Sequence, residues 1–196
     1  MKKTLLLASI LFVAVISTAC INNFAVRDLN NKAAVYMQKG DYAQAIERLK
    51  SSLDLDPSVF ETHYNLAVAY TNNEDYLNAL EEYEKALEIK PDYADAYYSI
   101  ATTQNNLFID MEKGKIRVNP ADDSLYAVKD DETTQEEPYK MTEKETEISQ
   151  QLKASAIENY KKYLETNPSQ EDKAAVEKQL EILSGANKKS ETAQGE

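Results

Sequence analysis

Residues that commonly carry catalysis or bind metals are scarce in this sequence. His63 is the only histidine and Cys20 the only cysteine, so no histidine–cysteine set can hold a transition metal. The acidic residues at 122–123 and 130–132 lack the alternating spacing and central glycine of a calcium loop. The sequence contains no nucleophile elbow, phosphate loop or dinucleotide fingerprint. We therefore predict a protein that is not an enzyme and has no metal or cofactor, with His63 as a packed side chain.

Charge and composition narrow the class of protein and of partner. The formal net charge is −12, with 34 acidic and 22 basic residues. Such a chain repels phosphate, so nucleic acid is not an expected partner. The chain has 196 residues, enough for roughly one domain. Its 4 glycines and its many Ala, Glu, Lys and Leu residues favour an all-α fold.

The N-terminus has the pattern of an export signal. Two lysines precede the apolar stretch "TLLLASILFVAVI", and small residues lead to Cys20. This resembles a bacterial lipoprotein signal, which implies a signal peptide at 1–19 and a lipidated Cys20 followed by a short tether at 20–25. The implied location is the bacterial cell envelope, periplasm-facing at the outer membrane, since Ile21 is not the aspartate that marks inner-membrane retention. Two alternatives stay open: an uncleaved membrane anchor, or an incidental thiol after an ordinary cleavage site.

A repeat of 34 residues dominates the rest of the chain. Pro57 and Pro91 lie 34 positions apart, and residues 26–57 align with 60–91. The identical pairs are Asn31/Asn65, Ala33/Ala67, Tyr36/Tyr70, Asp41/Asp75, Tyr42/Tyr76, Ala45/Ala79, Glu47/Glu81, Leu53/Leu87 and Pro57/Pro91. This pattern resembles the tetratricopeptide repeat, a helix–turn–helix unit. The resemblance implies repeats at 26–59, 60–93 and 94–168.

Each recurring residue has a physical role in such a unit. The alanines predict close approach of neighbouring helices, and the tyrosines are expected to fill the gap between the two helices. Gly40-Asp41 and Glu74-Asp75 are predicted turns, and each proline ends a helix because it lacks an N–H.

The third repeat is interrupted. The expected alanine at 113 appears at Ala156, so about 107–149 is predicted to be an insertion. Within it, "KIRV", "NPADD" and "SLYAV" predict a β-hairpin. Thr142 with Glu145 predicts a capping box that begins a long helix. Ser169 and Gly185 bound a predicted cap helix at 169–185, and 186–196 is a predicted disordered tail.

The resemblance implies a function in binding rather than catalysis. Tetratricopeptide arrays hold a protein or extended peptide in a groove lined by the first helix of each repeat. Carrying those positions over places Asn30 on this face, together with a predicted partner-binding set: Arg27, Asn31, Met37, Gln38, Glu61, Tyr64, Asn65, Val68, Asn72, Asp95, Tyr98 and Asn105. Asn31 and Asn65 are the favoured ligand contacts, the alternative being that they bond only to neighbouring helices.

Some members of the family clamp a C-terminal carboxylate with basic residues and asparagines. Asp95 and Ser99 stand where two of those basic residues are expected, so a full carboxylate clamp is not predicted. We predict a membrane-anchored adaptor within a cell-envelope complex. One alternative is a lipoprotein that binds a small hydrophobic ligand beneath the insertion and supports a transporter; another is a self-associating structural subunit.

Overall fold

The structure is a computed structural model that describes residues 22–128 and 138–185. The predicted signal peptide, Cys20 and the tail at 186–196 lie outside these residues, as does the acidic segment at 129–137. The chain divides into two compact units, with the boundary between Pro91 and Asp92. Among the described residues, no helix combines the length and the apolar character needed to cross a membrane.

The first unit consists of two helix pairs. Helix α1 covers residues 22–38, α2 spans Tyr42–Leu55, α3 spans Phe60–Asn72 and α4 spans Tyr76–Ile89. Helices α2 and α4 each end two residues before the proline predicted to stop them. The helix–turn–helix units predicted from the repeat are therefore present.

The alanines at the repeat positions are fully buried. Ala33, Ala45, Ala67 and Ala79 have no exposed surface. Tyr70 is buried between helices as predicted, whereas Tyr36 at the same repeat position is only half-buried. A larger side chain at any of the four alanines would need the backbones to separate, which explains why the residue type recurs.

The turns share one geometry. Gly40 and Glu74 have φ values of 74° and 61°. The following N–H groups, of Asp41 and Asp75, donate to the carbonyls of Tyr36 and Tyr70 at 3.0 and 2.9 Å. This is the left-handed helix end that glycine favours. Glu74 adopts it without being glycine, at a cost of roughly 1–2 kcal/mol.

The second unit begins with a longer helix than the repeat predicts. Helix α5 spans Ala94–Glu112 and therefore continues through residues 107–112, which the alignment assigned to the insertion. Leu107 and Met111 are buried and extend the inward face of the helix by more than one turn. Gly114, with φ 72°, then ends α5, and the Lys115 N–H donates to the Asp110 carbonyl at 2.9 Å.

The predicted β-hairpin is present. Strand β1 spans Ile116–Val118 and β2 spans Leu125–Ala127. They pair antiparallel, with Ile116 opposite Ala127 and Val118 opposite Leu125. The turn is closed by the Asn119 N–H, which donates to the Ser124 carbonyl at 2.8 Å.

Two helices complete the second unit. Helix α6 spans Glu143–Glu165 and begins with the predicted capping box of Thr142 and Glu145. Helix α7 spans Gln170–Ser184, with Ser169 at its N-cap and Gly185, at φ 74°, at its C-cap. The core between α5, α6 and α7 consists of Ala101, Ala156, Tyr160, Tyr163, Val176 and Leu183.

Candidate functional site

In the first unit the predicted binding residues lie on one face of α1 and one face of α3. On α1, Arg27, Asn31 and Gln38 are exposed and Met37 is half-buried. On α3, Glu61 and Asn72 are exposed. Tyr64, Asn65 and Val68 are half-buried along the same stripe, since helical residues three and four apart share a face.

Asn31 and Asn65 occupy the same repeat position, one on α1 and one on α3. No hydrogen bond joins either side chain to another residue within the described ranges. Each amide carries both a donor and an acceptor that a ligand can use. By contrast, the Asn72 side chain donates to the Val68 carbonyl of its own helix at 2.8 Å.

Asn30 has a structural role that the repeat pattern did not predict. Its side-chain amide nitrogen lies 2.8 Å from the Ser52 hydroxyl of α2 and 3.0 Å from the Thr62 hydroxyl of α3. Ser52 and Thr62 are fully buried. Asn30 therefore joins three helices, and its amide nitrogen is used within the fold. The sequence feature that could have indicated this role is the presence of Ser52 and Thr62 on the buried faces of α2 and α3.

His63 is a packed residue in a polar network, as predicted. Its Nε2 lies 2.9 Å from the Pro57 carbonyl oxygen, which can only accept, so Nε2 carries a proton. Its Nδ1 lies 2.6 Å from a carboxylate oxygen of Glu82, whose other oxygen accepts from Lys85 at 2.9 Å. The histidine thus ties the start of α3 to α4 and is committed to the fold.

In the second unit, α5 carries the remaining predicted residues. Asp95 and Tyr98 are exposed and Asn105 is half-buried. The Tyr98 ring packs against the rings of Tyr160 and Tyr163 of α6, with centroids 5.9 and 5.3 Å apart. Burial raises the pKa of both Tyr160 and Tyr163, and the negative charges of Asp172 and Asp95 raise that of Tyr163 further.

A cavity of about 580 Å³ lies among α5, α6 and α7. Its lining includes one predicted residue, Asn105, and is otherwise new: Phe108, Ile109, Glu112, Lys153, Gln179, Ile182, Leu183 and Gly185. No residue of the hairpin strands lines it. The sequence placed a possible small-ligand space beneath the insertion at 107–149. Phe108, Ile109 and Glu112 of the lining fall within that range, but they belong to α5 and not to the hairpin.

The hairpin is fastened to α6 by a buried carboxylate. Glu145 accepts from the Thr142 N–H at 2.8 Å, the Tyr139 hydroxyl at 2.7 Å and the Val118 N–H at 3.2 Å. Burial alone raises the pKa of Glu145, but these hydrogen bonds outweigh it and hold the pKa below its usual value. Burial and the bond to Glu145 raise the pKa of Tyr139 to about 12.

Arg117 completes this contact. Its guanidinium lies 4.7 Å from the centroid of the Tyr139 ring, and its Nε donates to the Gly114 carbonyl at 3.3 Å. All the hydrogen bonds that Glu145 accepts come from residues of the fold, so this carboxylate has a structural role. The insertion is therefore an ordered part of the second unit from Lys113 to Val128.

In the first unit, two helix pairs each turn at a residue with a left-handed backbone, and buried alanines recur at the same positions of both pairs. These features are typical of helical repeat proteins. Family models agree: residues 33–74 match "TPR repeat" and residues 60–93 match "Tetratricopeptide repeat". The chain therefore carries tetratricopeptide repeats in this region. A search of curated protein sequences gave no match.

Solved structures show the same fold. The first TPR of Spaghetti (RPAP3) bound to HSP90 peptide SRMEEVD is similar with a TM-score of 0.55 and 17% identity over 82% of this chain and 91% of that one. The Sgt2 TPR domain from Aspergillus fumigatus gives 0.52 and 17%, with 87% and 82% covered. The TPR2B domain of yeast Sti1, in a complex with pHsp70, gives 0.55 and 15%, with 83% and 98% covered.

Proposed function

We propose that this protein is a non-enzymatic adaptor that binds a protein or extended peptide through helix faces, those of α1 and α3 in the first unit and, taken by itself, that of α5 in the second. The observation that carries the proposal is the pair Asn31 and Asn65, which recur one repeat apart and have no partner within the described residues. Two unpaired amides can bond to the backbone of an extended peptide without requiring a charge. Tyr64 adds apolar contact area on the α3 face, and Tyr98 does so on the α5 face of the second unit.

Proteins of similar fold support the choice of ligand class. The RPAP3 domain is bound to an HSP90 peptide, and the Sti1 domain is in a complex with pHsp70. By analogy, the partner of this protein is a peptide segment of another protein.

We further propose that the adaptor acts at a membrane of the bacterial cell envelope, held there by lipid on Cys20. The support is the basic, apolar and small-residue pattern of residues 1–20. The tether predicted at 20–25 is shorter than expected because α1 begins at residue 22, so the first unit would start within two residues, roughly 7 Å, of the lipidated Cys20. The outer membrane, with the repeats facing the periplasm, is the favoured location.

The binding proposal is tested by capture from solubilised envelope, followed by titration of each captured protein in purified form. The test protein carries Asn31→Ala and Asn65→Ala, and the control carries Asn78→Ala, which removes an exposed amide on α4. We expect the double variant to bind at least tenfold more weakly while the control binds as the parent does. Equal binding by all three proteins would overturn the assignment of these faces.

The anchor is tested separately with Cys20→Ser. If Cys20 is lipidated, the variant loses incorporation of labelled fatty acid, and the cleaved parent carries the label. A variant that stays in the membrane fraction while the parent takes up no label would instead identify residues 4–21 as an uncleaved anchor.

A further inference from the structure

The cavity among α5, α6 and α7 has the size and lining of a small-molecule site. Its volume of about 580 Å³ falls within the range of roughly 300–1,000 Å³ that such sites occupy. It lies at the C-terminal end of α5 and of α7, and it contains neither Asn31 nor Asn65. It can therefore bind a ligand independently of the α1 and α3 faces proposed above.

One part of the lining is apolar. Phe108 and Ile109 come from α5, and Ile182 and Leu183 come from α7. Leu183 is buried, but Ile182 is 49% exposed although it belongs to this wall. An alkyl chain laid against this surface would gain about 25 cal/mol for each Å² of apolar area removed from water.

The other part of the lining carries one unpaired cation. Lys153 of α6 is half-buried, and no carboxylate lies within ion-pair distance of it among the residues described. Its Nζ lies 5.9 Å from the centroid of the Phe108 ring. Lys162 of the same helix is instead paired with Glu158 at 2.9 Å. The unpaired, half-buried ammonium favours an anionic ligand at this place, although the chain as a whole, with a net charge of −12, repels anions.

The remaining polar groups limit how much negative charge the ligand can carry. Asn105 and Gln179 each offer an amide donor, and neither side chain has a hydrogen-bond partner within the described ranges. Glu112 is exposed and belongs to the same lining. Its carboxylate disfavours a dianion such as a phosphate monoester and leaves a single negative charge as the best match to Lys153.

We propose that this cavity binds an unbranched aliphatic monocarboxylate, a fatty acid in chemical class. The alkyl chain packs against Phe108, Ile109, Ile182 and Leu183. The carboxylate lies beside the Lys153 ammonium and accepts from Asn105 or Gln179. The site shares Asn105 with the α5 face but has no residue on α1 or α3, so Asn31→Ala with Asn65→Ala leaves it unchanged.

The test is calorimetric titration of the purified protein with octanoate, nonanoate and decanoate, each below its micellar concentration. We expect saturable binding that tightens about fourfold for each added methylene, with a negative heat-capacity change from apolar burial. Decanol, which lacks the charge, should bind at least tenfold more weakly. Because every variant contains the apolar residues 1–20, differences in affinity among variants do not include ligand binding by those residues.

Matched variants separate this site from adventitious binding. Lys153→Met should weaken decanoate binding about tenfold and leave decanol unchanged, whereas Lys161→Met, an exposed lysine on the same helix, should change neither. Ile182→Glu places a charge on a half-exposed wall residue, so the fold is preserved and decanoate binding is lost.

Three results would overturn the proposal. The first is the absence of saturable decanoate binding up to ~1 mM, a dissociation constant that corresponds to a binding free energy of about −4 kcal/mol. The second is an equal effect of Lys153→Met and Lys161→Met. The third is that a second copy of the chain or a peptide already covers the cavity. A molecular mass that rises with protein concentration would reveal the second copy. A captured peptide that is lost with Ile182→Glu, but not with the other variants, would reveal the peptide.

Discussion

The ring of Tyr139 lies directly against Gly114, so that a Cβ on that glycine would come within 2.5 Å of the ring Cγ. Gly114 also has φ 72°, and it ends helix α5. One residue thus meets two requirements, a left-handed backbone and space for a neighbouring aromatic ring. Gly40 has φ 74° but no heavy atom within 4 Å of the corresponding position, which makes it a natural control.

We predict that Gly114→Ala destabilises the protein more than Gly40→Ala. The left-handed backbone alone costs about 1–2 kcal/mol for alanine, and displacement of Tyr139 adds about 1–3 kcal/mol for Gly114 only. Urea denaturation of both variants measures the difference. Equal losses in the free energy of unfolding would mean that Tyr139 moves aside without cost.

Glu145 should make the hairpin sensitive to acid. Its pKa is lower in the folded protein than its ordinary value of 4.5, so its contribution is fully present above about pH 4.5 and is lost as the pH falls through the folded pKa. We expect Glu145→Gln to reduce the loss of stability between neutral and acidic pH. Urea midpoints across that range measure it, with Glu143→Gln as the control because Glu143 is exposed. Identical pH profiles for the two variants would contradict the assignment.

The His63–Glu82 contact should be much stronger than a surface ion pair of the same length. Both His63–Glu82 and Lys32–Asp28 have a separation of 2.6 Å, but the side chains are 9% and 13% exposed in the first pair and 58% and 46% in the second. A double-mutant cycle with His63→Ala and Glu82→Ala should give a coupling of about 1–3 kcal/mol.

The exposed pair serves as the control for this measurement. The cycle with Lys32→Ala and Asp28→Ala should give about 0.3–0.5 kcal/mol, the usual value for exposed helical pairs. Similar coupling energies in the two cycles would mean that burial does not strengthen the histidine contact.

A peptide ending in acidic residues should be a poor ligand. SRMEEVD, the HSP90 peptide bound by the RPAP3 domain, would meet exposed Asp95 on α5 of a chain with net charge −12. We expect no binding of SRMEEVD below ~1 mM, and a measurable gain with Asp95→Lys because a repulsion becomes an attraction.

Asp92→Lys is the matched control for that gain, since it makes the same charge change just before α5. Fluorescence anisotropy with a labelled peptide at low salt measures both variants. If Asp92→Lys raised the affinity as much as Asp95→Lys, net charge rather than the α5 face would be responsible.

Local and periodic features could be predicted from the sequence. The alanines, the turns at Gly40 and Glu74, and the caps at Thr142, Ser169 and Gly185 depend on neighbours a few residues away or on a fixed period. The predicted binding residues of α1 and α3 share one face of each helix, as the same period implies, and their role in binding stays a prediction. Periodicity also misled, since Asn30 stands at a binding position but faces Ser52 and Thr62.

Features that depend on distant contacts could not be predicted. Helix α5 continues to Glu112 because Leu107 and Met111 are buried against tertiary neighbours, which the repeat alignment does not contain. The surroundings of Lys153 include residues of α5 and α7 that are distant in sequence. The capping box predicted Glu145 as a cap, but its bonds to Val118 and Tyr139 join segments that are separate in sequence.

Helix α6 bears on how the protein could be divided into parts. Its 23 residues make it about 34 Å long, and it begins beside the hairpin at Glu145 and ends in the core at Tyr160 and Tyr163. Helix α6 runs without a break from the inserted segment into the third repeat, so the insertion cannot be exchanged as a separate unit. Any deletion that removes the hairpin also removes the first turn and cap of a core helix, and a graft of this hairpin onto another repeat protein must include α6.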